Sequence, residues 1–490
     1  MIKWLNCLGP LLLLEKVLTM NEYPSQQINR LRKAGQLDEA WKIGVVEIQQ
    51  NPNNKYLKSA FFWVCYEYLR AVQNPIMDRG KSNSNFRPMN DEYNRIGFLL
   101  DWIVSLDIPP GGFEYSRLFF LFRKNLEIFQ QLVLILIKHQ ERLFTDEDKK
   151  PFKGGKGESP SLMLMCARKV ASAWLKQGRS SAYGVDEVIS LLNKARLQAH
   201  DQQQKIWLDY DEAKCLVCAE RFDDARTFII PVLKRKQNEP WAWDVLAATY
   251  FKQDPDVAIR LLSQGISCTH DEKFALRLLN NLATLLAAKG LVKEASMCTK
   301  RAVNCYQKNN WRIKGELEAL HNQTWFDNNI DIGPLNSFLS NRKEGALDYL
   351  YGKRDKIAGL VINLHRSGKG CHVFLKEGIS ISVPLSRFKG QKPDLANYVE
   401  IEYSGPENDM NIIQGRISDY QEIDGVDMIQ GELKISEKGF GFVDDTFIPP
   451  QIVRQELSGC TVEVLRYRDI DKKKNQLGWR AITIRPLIRD

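Results

Sequence analysis

Apolar and polar residues follow two different rhythms along this chain of 490 residues. In residues 24–326, apolar side chains recur about every three to four positions, which places them on one face of an α-helix. After about residue 355 they alternate with polar residues in short runs bounded by glycine and proline, a pattern typical of β-strands. The hydrophobic pattern therefore predicts an α-helical N-terminal part and a β-rich C-terminal part.

One pattern returns within the helical part at residues 24–54, 221–240, 241–268 and 282–302. In the first copy Gly35 follows one periodic segment, Ala40 lies early in the next, and Pro52 comes after it. These strings resemble the tetratricopeptide repeat, a helical hairpin of about 34 residues that stacks with its neighbours into a solenoid. The resemblance implies a solenoid over residues 21–345, with a groove that binds a protein or peptide.

The repeat pattern degrades between the first and second copies, although helical periodicity persists. We expect helices at residues 56–70, 92–105, 113–142, 161–177 and 184–200, and a further helix at 311–326. Two polar, glycine-containing segments, Met77–Asn90 and Thr145–Ser159, are predicted to be loops. The aromatic residues between Phe61 and Tyr68 either line the groove or, as is more common, form the core between helices.

Residues 1–20 precede this array and contain an apolar run that is too short to span a bilayer. We interpret them as either a weakly amphipathic N-terminal extension or an artefact of the assigned start.

The β-rich part divides into two modules, residues 355–418 and 427–487. In each module a Lys-Gly pair precedes a central strand, and the two pairs are Lys369-Gly370 and Lys438-Gly439. A later strand of each module ends at a proline, Pro384 or Pro449. These parallels predict a tandem duplication of one small β-barrel.

Phe440 and Phe442 lie on the central strand of the second module, separated by Gly441. Because strand side chains alternate between faces, the two rings share one face. Exposed rings without bulk between them form a platform on which bases of a single strand stack, at about 1–3 kcal/mol per base. Lys438 beside them is placed to contact phosphate. The alternative is that both rings belong to the core of a small barrel.

The stretch Lys438–Val443 resembles the first RNA-binding motif of the cold-shock domain, an OB-type barrel, and Thr446–Pro449 resembles its second motif. Two positions depart from the family pattern. Pro449 stands where the family usually carries a stacking His, and Ile435 stands near the position of the family's Trp. The resemblance implies that the second module binds single-stranded nucleic acid.

The candidate contact residues combine aromatic rings with cations, the composition expected of a single-strand binder. In the second module they are Lys434, Lys438, Phe440, Phe442, Phe447, Arg468, Trp479 and Arg480. In the first module they are Lys369, His372 and Phe374, and alternation places the last two on the corresponding stacking face. His372 is equally consistent with a half-exposed strand residue that contacts no base. The run Lys472–Lys474 by itself favours a solvated loop.

Composition restricts the function without naming it. The net charge of +9 permits an acidic partner such as nucleic acid but does not require one. The six histidines are dispersed, the ten cysteines follow no disulfide or metal-binding pattern, and no catalytic motif is present. The Asp444-Asp445 pair favours a hairpin turn over a metal site. We therefore expect a cytoplasmic protein that is not an enzyme and needs no cofactor or metal.

The sequence thus predicts a multidomain protein with an N-terminal all-α, tetratricopeptide-like solenoid and C-terminal all-β tandem barrels of the OB or cold-shock type. Its predicted function is that of a non-enzymatic adaptor. The barrels hold single-stranded RNA, or DNA, the helical array holds a protein partner, and no membrane is involved. Two alternatives stay open: a pure protein scaffold, and a subunit of a larger bacterial defence or nucleic-acid-processing complex.

Overall fold

The chain consists of a helical unit followed by a β unit, and the division falls between Glu344 and Gly345. The computed structural model describes residues 22–83, 85–154, 157–269, 271–388, 390–407, 409–471 and 476–487. The predictions for residues 1–20 and for Lys472–Lys474 lie outside these ranges. The predicted fold class, a helical N-terminal region followed by two curled β-sheets, is confirmed.

The helical unit contains sixteen α-helices among the described residues, most of them short. They are α1 (Pro24–Lys33), α2 (Leu37–Gln50), α3 (Lys55–Asn83), α4 (Asn90–Ser105), α5 (Phe113–Phe122), α6 (Gln130–His139), α7 (Leu162–Gln177), α8 (Val185–Leu197), α9 (Gln202–Cys218), α10 (Phe222–Arg235), α11 (Pro240–Ala248), α12 (Pro255–Ser267), α13 (Leu276–Ala288), α14 (Val292–Lys308), α15 (Glu316–His321) and α16 (Leu335–Arg342). None of the described helices combines the length and apolar character that crossing a bilayer requires.

Consecutive helices pack as hairpins where the repeated pattern occurs. The contacting pairs are α1 with α2, α9 with α10, α11 with α12, and α13 with α14. In the second helix of each pair an alanine near the start is fully buried, which lets the two helices approach closely; these residues are Ala40, Ala225, Ala258 and Ala295. The hairpins agree with the helical prediction, whereas membership of the tetratricopeptide family stays a prediction.

Four segments differ from what the pattern predicted. Helix α3 extends to Asn83 because Val72, Ile76 and Gly80 lie one helical turn apart and are all buried, so Met77–Asn83 is not a loop. Residues 113–142 form two α-helices, α5 and α6, separated by a turn, and the further helix after the last copy is only Glu316–His321. The predicted loop Thr145–Ser159 contains a short hairpin of β1 (Phe152–Gly154) and β2 (Gly157–Ser159).

The aromatic residues of α3 serve the core of the helical unit. Phe61 and Phe62 are completely buried, and Trp41 and Trp102 pack against Phe61 with ring centroids 5.0 and 5.5 Å away. The core interpretation of these two phenylalanines is therefore correct, and they are not available to a ligand.

The β unit begins with the single-turn helix α17 (Asp348–Tyr351) and contains two sheets. The first module consists of β3 (Asp355–Leu364), β4 (Gly370–Lys376), β5 (Ile379–Pro384), β6 (Tyr398–Ser404) and β7 (Asn411–Ile417). The second module consists of β8 (Val426–Glu432), β9 (Lys434–Ile435), β10 (Gly441–Val443), β11 (Thr446–Ile448), β12 (Thr461–Asp471) and β13 (Gln476–Pro486).

Both sheets curl into barrels with the same circular order of strands. In each module the first strand lies between the second and the fourth, and the fifth strand lies between the fourth and the third. In the first module the order is β5-β4-β3-β6-β7, and a parallel bridge between Phe388 and Gly415 brings the two edges together. In the second module the order is β8-β12-β13-β11-β10-β9, and its two ends are segments of one bent strand separated only by Leu433. This common topology, with the third and last strands parallel, is that of an OB-type Greek-key barrel.

Each module has its own apolar interior, and a third cluster joins the two modules from outside. The inner cores contain Val373 and Val399 in the first module and Val443 and Val464 in the second. The joining cluster lies between the outer faces of the barrels and consists of Leu360, Phe374, Ile423, Leu465, Tyr467 and Ile482. The two barrels therefore share one packed seam rather than being connected by the linker alone.

Candidate nucleic-acid interface

Three phenylalanines cluster on the outside of the second barrel. Phe442 is 41 % exposed, whereas Phe440 and Phe447 are half-buried. The ring centroid of Phe440 lies 5.7 Å from that of Phe442 and 5.7 Å from that of Phe447, and the other two centroids are 5.8 Å apart. The rings support one another at angles that leave the Phe442 ring open to solvent, as a stacking surface requires.

The local sequence forces this orientation. On β10 the neighbours of Phe442, Gly441 and Val443, are buried in the barrel, so alternation turns Phe442 outward. A side chain at Gly441 would place its Cβ 3.0 Å from Leu433 Cδ1 and 3.1 Å from the backbone oxygen of Lys434, so glycine allows β10 to lie against β9. Glycine at this position thus brings Lys434 next to the aromatic cluster.

The turn that follows pairs the second ring with the first. Asp444 and Asp445 form the two-residue turn between β10 and β11, as predicted, and Asp444 adopts a left-handed φ of 50° that aspartate tolerates better than most residues. The resulting register places Phe447 directly opposite Phe442.

One row of residues crosses four strands of the second barrel. Lys434 of β9 pairs with Phe442 of β10, Phe442 with Phe447 of β11, and Phe447 with Arg480 of β13. Neighbouring strands are about 4.8 Å apart, so this aromatic row, Lys434–Phe442–Phe447–Arg480, is about 14 Å long. Two adjacent rings with a cation at each end offer stacking faces for bases and charges for the flanking phosphates of a single strand.

The two cations of the aromatic row, and Lys438 two residues before Phe440, differ in how far other side chains engage them. Lys434 and Lys438 are exposed, and neither pairs with a carboxylate within the described ranges. Arg480 has its guanidinium 5.8 Å from the Phe447 ring and 3.7 Å from Asp469. Both members of that ion pair are more than 40 % exposed, so solvent screens it strongly and the guanidinium stays accessible to phosphate.

Trp479 is engaged by its own chain. The guanidinium of Arg466 lies 4.0 Å from the Trp479 ring centroid and that of Arg468 lies 4.7 Å away. Arg466 is almost buried and also forms ion pairs with Asp427 and Asp445, at 2.7 and 2.8 Å. The hydrogen bond from Arg466 lowers the pKa of Asp427. Trp479 is thus held at the barrel end, and the sequence contained no signal for this role of Arg466.

The first barrel presents histidines rather than phenylalanines. His372 is half-buried on β4, and its ring centroid lies 4.6 Å from that of His365, a residue that the sequence prediction missed. His365 Nε2 is 3.3 Å from Ser382 Oγ. Lys369 is exposed on the preceding hairpin and pairs with no carboxylate that the structure describes. A histidine on a hairpin carries no periodic signal, which explains why sequence analysis did not find His365.

The prediction of an exposed stacking ring at Phe374 is wrong. Alternation does place Phe374 on the outer face of β4, but its side chain is only 1 % exposed. Its ring centroid is 5.3 Å from that of Tyr467 in the second barrel, and Leu465 and Ile482 complete the cover. Phe374 therefore stabilises the seam between the barrels and cannot stack on a base.

Several basic residues of the first module are neutralised within the module. Arg354 pairs with Asp348 at 2.6 Å and Lys356 with Glu400 at 3.1 Å, and Lys376 pairs with Glu407. The basic excess in the sequence of this module therefore overstates its free positive charge, and Arg366 and Lys369 on the β3–β4 hairpin remain without such partners within the described residues.

The helical unit presents a separate aromatic cluster on the first helices of neighbouring hairpins. The ring centroids of Trp207 on α9 and Trp241 on α11 are 5.1 Å apart and nearly parallel, and that of Tyr210 lies 4.6 Å from Trp241. Arg168 and Lys214 lie over Trp207 and Tyr210, at 5.2 and 5.1 Å from the ring centroids. All three aromatic side chains are partly exposed. We call this set the tryptophan cluster.

Two family models match this chain, one over the later part of the helical unit and one over the second barrel. Residues 427–484 match the model of the S1/CSD-like domain 2 of the TOTE conflict systems, and the match includes the entire aromatic row. Residues 206–346 match the model of a domain of unknown function, DUF7017, which includes the tryptophan cluster except for Arg168. No match was found among curated proteins. An S1/CSD-like domain on an OB-type barrel indicates nucleic-acid binding by the C-terminal module.

Proposed function

We propose that this protein is a non-enzymatic adaptor that binds single-stranded RNA through its β unit and a protein segment through its helical unit. The observation that carries the first half is the aromatic row, in which the open Phe442 ring lies between Phe447 and Lys434, a lysine with no ion pair among the described residues, on an S1/CSD-like barrel. Stacking and phosphate contact together account for sequence-tolerant binding of a single strand.

The choice of RNA over DNA rests on the resemblance to cold-shock RNA-binding motifs. Rings and lysines bind either polymer, whereas only a contact to the 2′-hydroxyl distinguishes them. The direct test measures the affinity of the full chain for RNA and DNA oligonucleotides of the same sequence, about 12 nucleotides long, which is within the range of one or two OB folds. Equal affinity would contradict the preference for RNA and leave single-strand binding in place.

Salt dependence separates this proposal from that of a pure protein scaffold. Binding to a single strand through Lys434, Lys438 and Arg480 releases counterions, so the logarithm of the affinity should fall by about 0.7 per contact for each tenfold rise in salt. If the full chain binds no oligonucleotide at low salt, the barrels are scaffold modules.

The tryptophan cluster is our candidate for the protein-binding site. Its rings lie on helices α9 and α11 and are partly exposed. Buried acids balance two of the cations in this region, because Arg168 over Trp207 pairs with Asp211 at 2.6 Å and Arg277 pairs with Asp244 at 2.8 Å. A balanced aromatic surface suits a peptide better than a polyanion. A photo-crosslinking amino acid at Trp241 should capture one defined segment, whose synthetic peptide loses affinity in Trp207→Ala. A peptide that binds this variant unchanged would exclude the cluster.

A second candidate function is a role in a conflict system, because the family that matches residues 427–484 is described by that term. Cells that carry the gene should then resist phage infection better than cells carrying the Phe440→Ala/Phe442→Ala variant. Equal plaque numbers would exclude this role while leaving nucleic-acid binding unaffected.

A further inference from the structure

We infer that the two barrels bind one continuous single strand, which runs from the aromatic row of the second barrel across the seam to a histidine surface on the first. The histidine surface consists of His365, Lys369, His372 and Ser382. This inference rests on the proposed single-strand binding and adds the path of the ligand and its length.

The aromatic row ends at the seam between the barrels. Its last member, Arg480, lies opposite Tyr467 of β12 in the sheet register. The centroid of the Tyr467 ring is 5.3 Å from that of Phe374 on β4 of the first barrel. His372 lies two residues before Phe374 on β4, so the two side chains leave the strand on the same face. The row of the second barrel therefore leads directly to the strand that carries the histidine surface.

The seam holds the two surfaces at a fixed separation. Phe374, Leu360 and Tyr467 are nearly or completely buried in the cluster that joins the barrels. The path from Phe442 to His372 follows the row to Tyr467, crosses the seam to Phe374 and then runs along β4. With strands about 4.8 Å apart and about 3.4 Å per residue along a strand, and 5.3 Å between the two seam rings, the path is at most about 27 Å long. At about 3.4 Å per stacked nucleotide, a strand of about eight nucleotides covers this distance.

The histidine surface has the composition that a nucleic-acid strand requires. The strand neighbours of His372 are Asn363 and Ser382, both exposed and uncharged. A side chain at Gly370 would place its Cβ 2.6 Å from His365 Nδ1, so glycine lets the His365 ring lie over the strand beside His372. Imidazole rings stack on unpaired bases, and Lys369 on the hairpin is positioned to meet a phosphate.

Two sites on one strand imply a dependence on length. A short oligonucleotide occupies the aromatic row alone, whereas a longer one gains the histidine surface as an intramolecular contact. Loss of base stacking at the histidine surface should lower the affinity roughly tenfold. This fall should be seen only with the longer ligand.

The experiment measures binding of the full chain to oligouridylates of about 4 and about 12 nucleotides, the smaller being the lower limit for a single OB fold. A labelled long oligonucleotide serves as tracer and the short one as competitor. The variants are His365→Ala/His372→Ala, the more conservative His365→Gln/His372→Gln, and Phe442→Ala. His200→Ala is the control, because His200 is exposed and lies in the helical unit. Melting temperatures confirm that each variant is folded.

The inference predicts that both double histidine variants lose about tenfold in affinity for the long ligand and none for the short one. The inference is overturned if the double histidine variants bind the long ligand as much more tightly than the short one as the unmodified chain does, while Phe442→Ala still weakens binding of both ligands. If Phe442→Ala weakens neither ligand, single-strand binding by the aromatic row fails as well. The two failures are thus distinguishable in one data set.

Discussion

Replacement of Phe442 by alanine is the most direct perturbation of the aromatic row. The ring is 41 % exposed and contacts Phe440 and Phe447 at centroid distances of 5.7 and 5.8 Å. Loss of one base stack of about 1–3 kcal/mol corresponds to an affinity about 5 to 150 times lower. Loss of two aromatic contacts at about 0.5–1.5 kcal/mol each reduces folding stability without unfolding a domain of ordinary stability.

The assay is fluorescence anisotropy of the full chain with a labelled single-stranded RNA of about 12 nucleotides at fixed salt. Phe274→Ala is the matched control, because Phe274 is 67 % exposed and lies in the helical unit. Phe442→Trp should retain binding, since the larger ring preserves the stacking face. An affinity for Phe442→Ala within twofold of that of the unmodified chain, at unchanged secondary structure, would refute the stacking argument.

Three further perturbations test the charges, the seam and the barrel end. Lys434→Gln/Lys438→Gln should flatten the slope of log affinity against log salt by about 1.4, and an unchanged slope would show that neither lysine meets phosphate. Phe374→Ala should cost about 3–5 kcal/mol of unfolding free energy in a denaturant titration, because the ring is buried in the seam; a cost below about 1 kcal/mol would contradict that packing. Hydrogen bonding from Arg466 lowers the pKa of Asp427 below its ordinary value of 3.8. The stability from this carboxylate is therefore present above its unfolded pKa and is lost as the pH falls through the lower folded value. The melting temperature of Asp427→Asn should depend less on pH between about pH 5 and 2 than that of the unmodified chain, and parallel curves would argue against the ion pair.

Local rules were sufficient wherever neighbouring residues decide the outcome. Alternation correctly predicted that Phe442 faces outward, because its two neighbours on this three-residue strand, Gly441 and Val443, face the barrel interior. The turn at Asp444-Asp445 follows from the backbone preferences of aspartate. The register between Phe442 and Phe447 then follows from the length of the turn.

Local rules failed wherever a residue distant in sequence supplies the partner. Helix α3 continues past Met77 into a polar segment because the buried face of the helix continues from Ile76 to Gly80, which composition alone does not reveal. Trp479 is covered by Arg466 and Arg468 from the neighbouring strand. Ion pairs between strands, such as that of Lys356 with Glu400, also remove charge that a count of basic residues includes.

The sequence alone determined that helices are followed by two β modules, and that rings and cations share one face of the second, because periodicity and turn chemistry act over a few residues. Only the tertiary structure decided which outward faces remain open. Phe374 and Phe442 both leave their strands on the outer side of a barrel, yet the seam buries the first at 1 % exposure and leaves the second 41 % exposed. The difference arises from contacts with the other barrel about a hundred residues away, as between Phe374 and Tyr467, and no local pattern encodes such contacts.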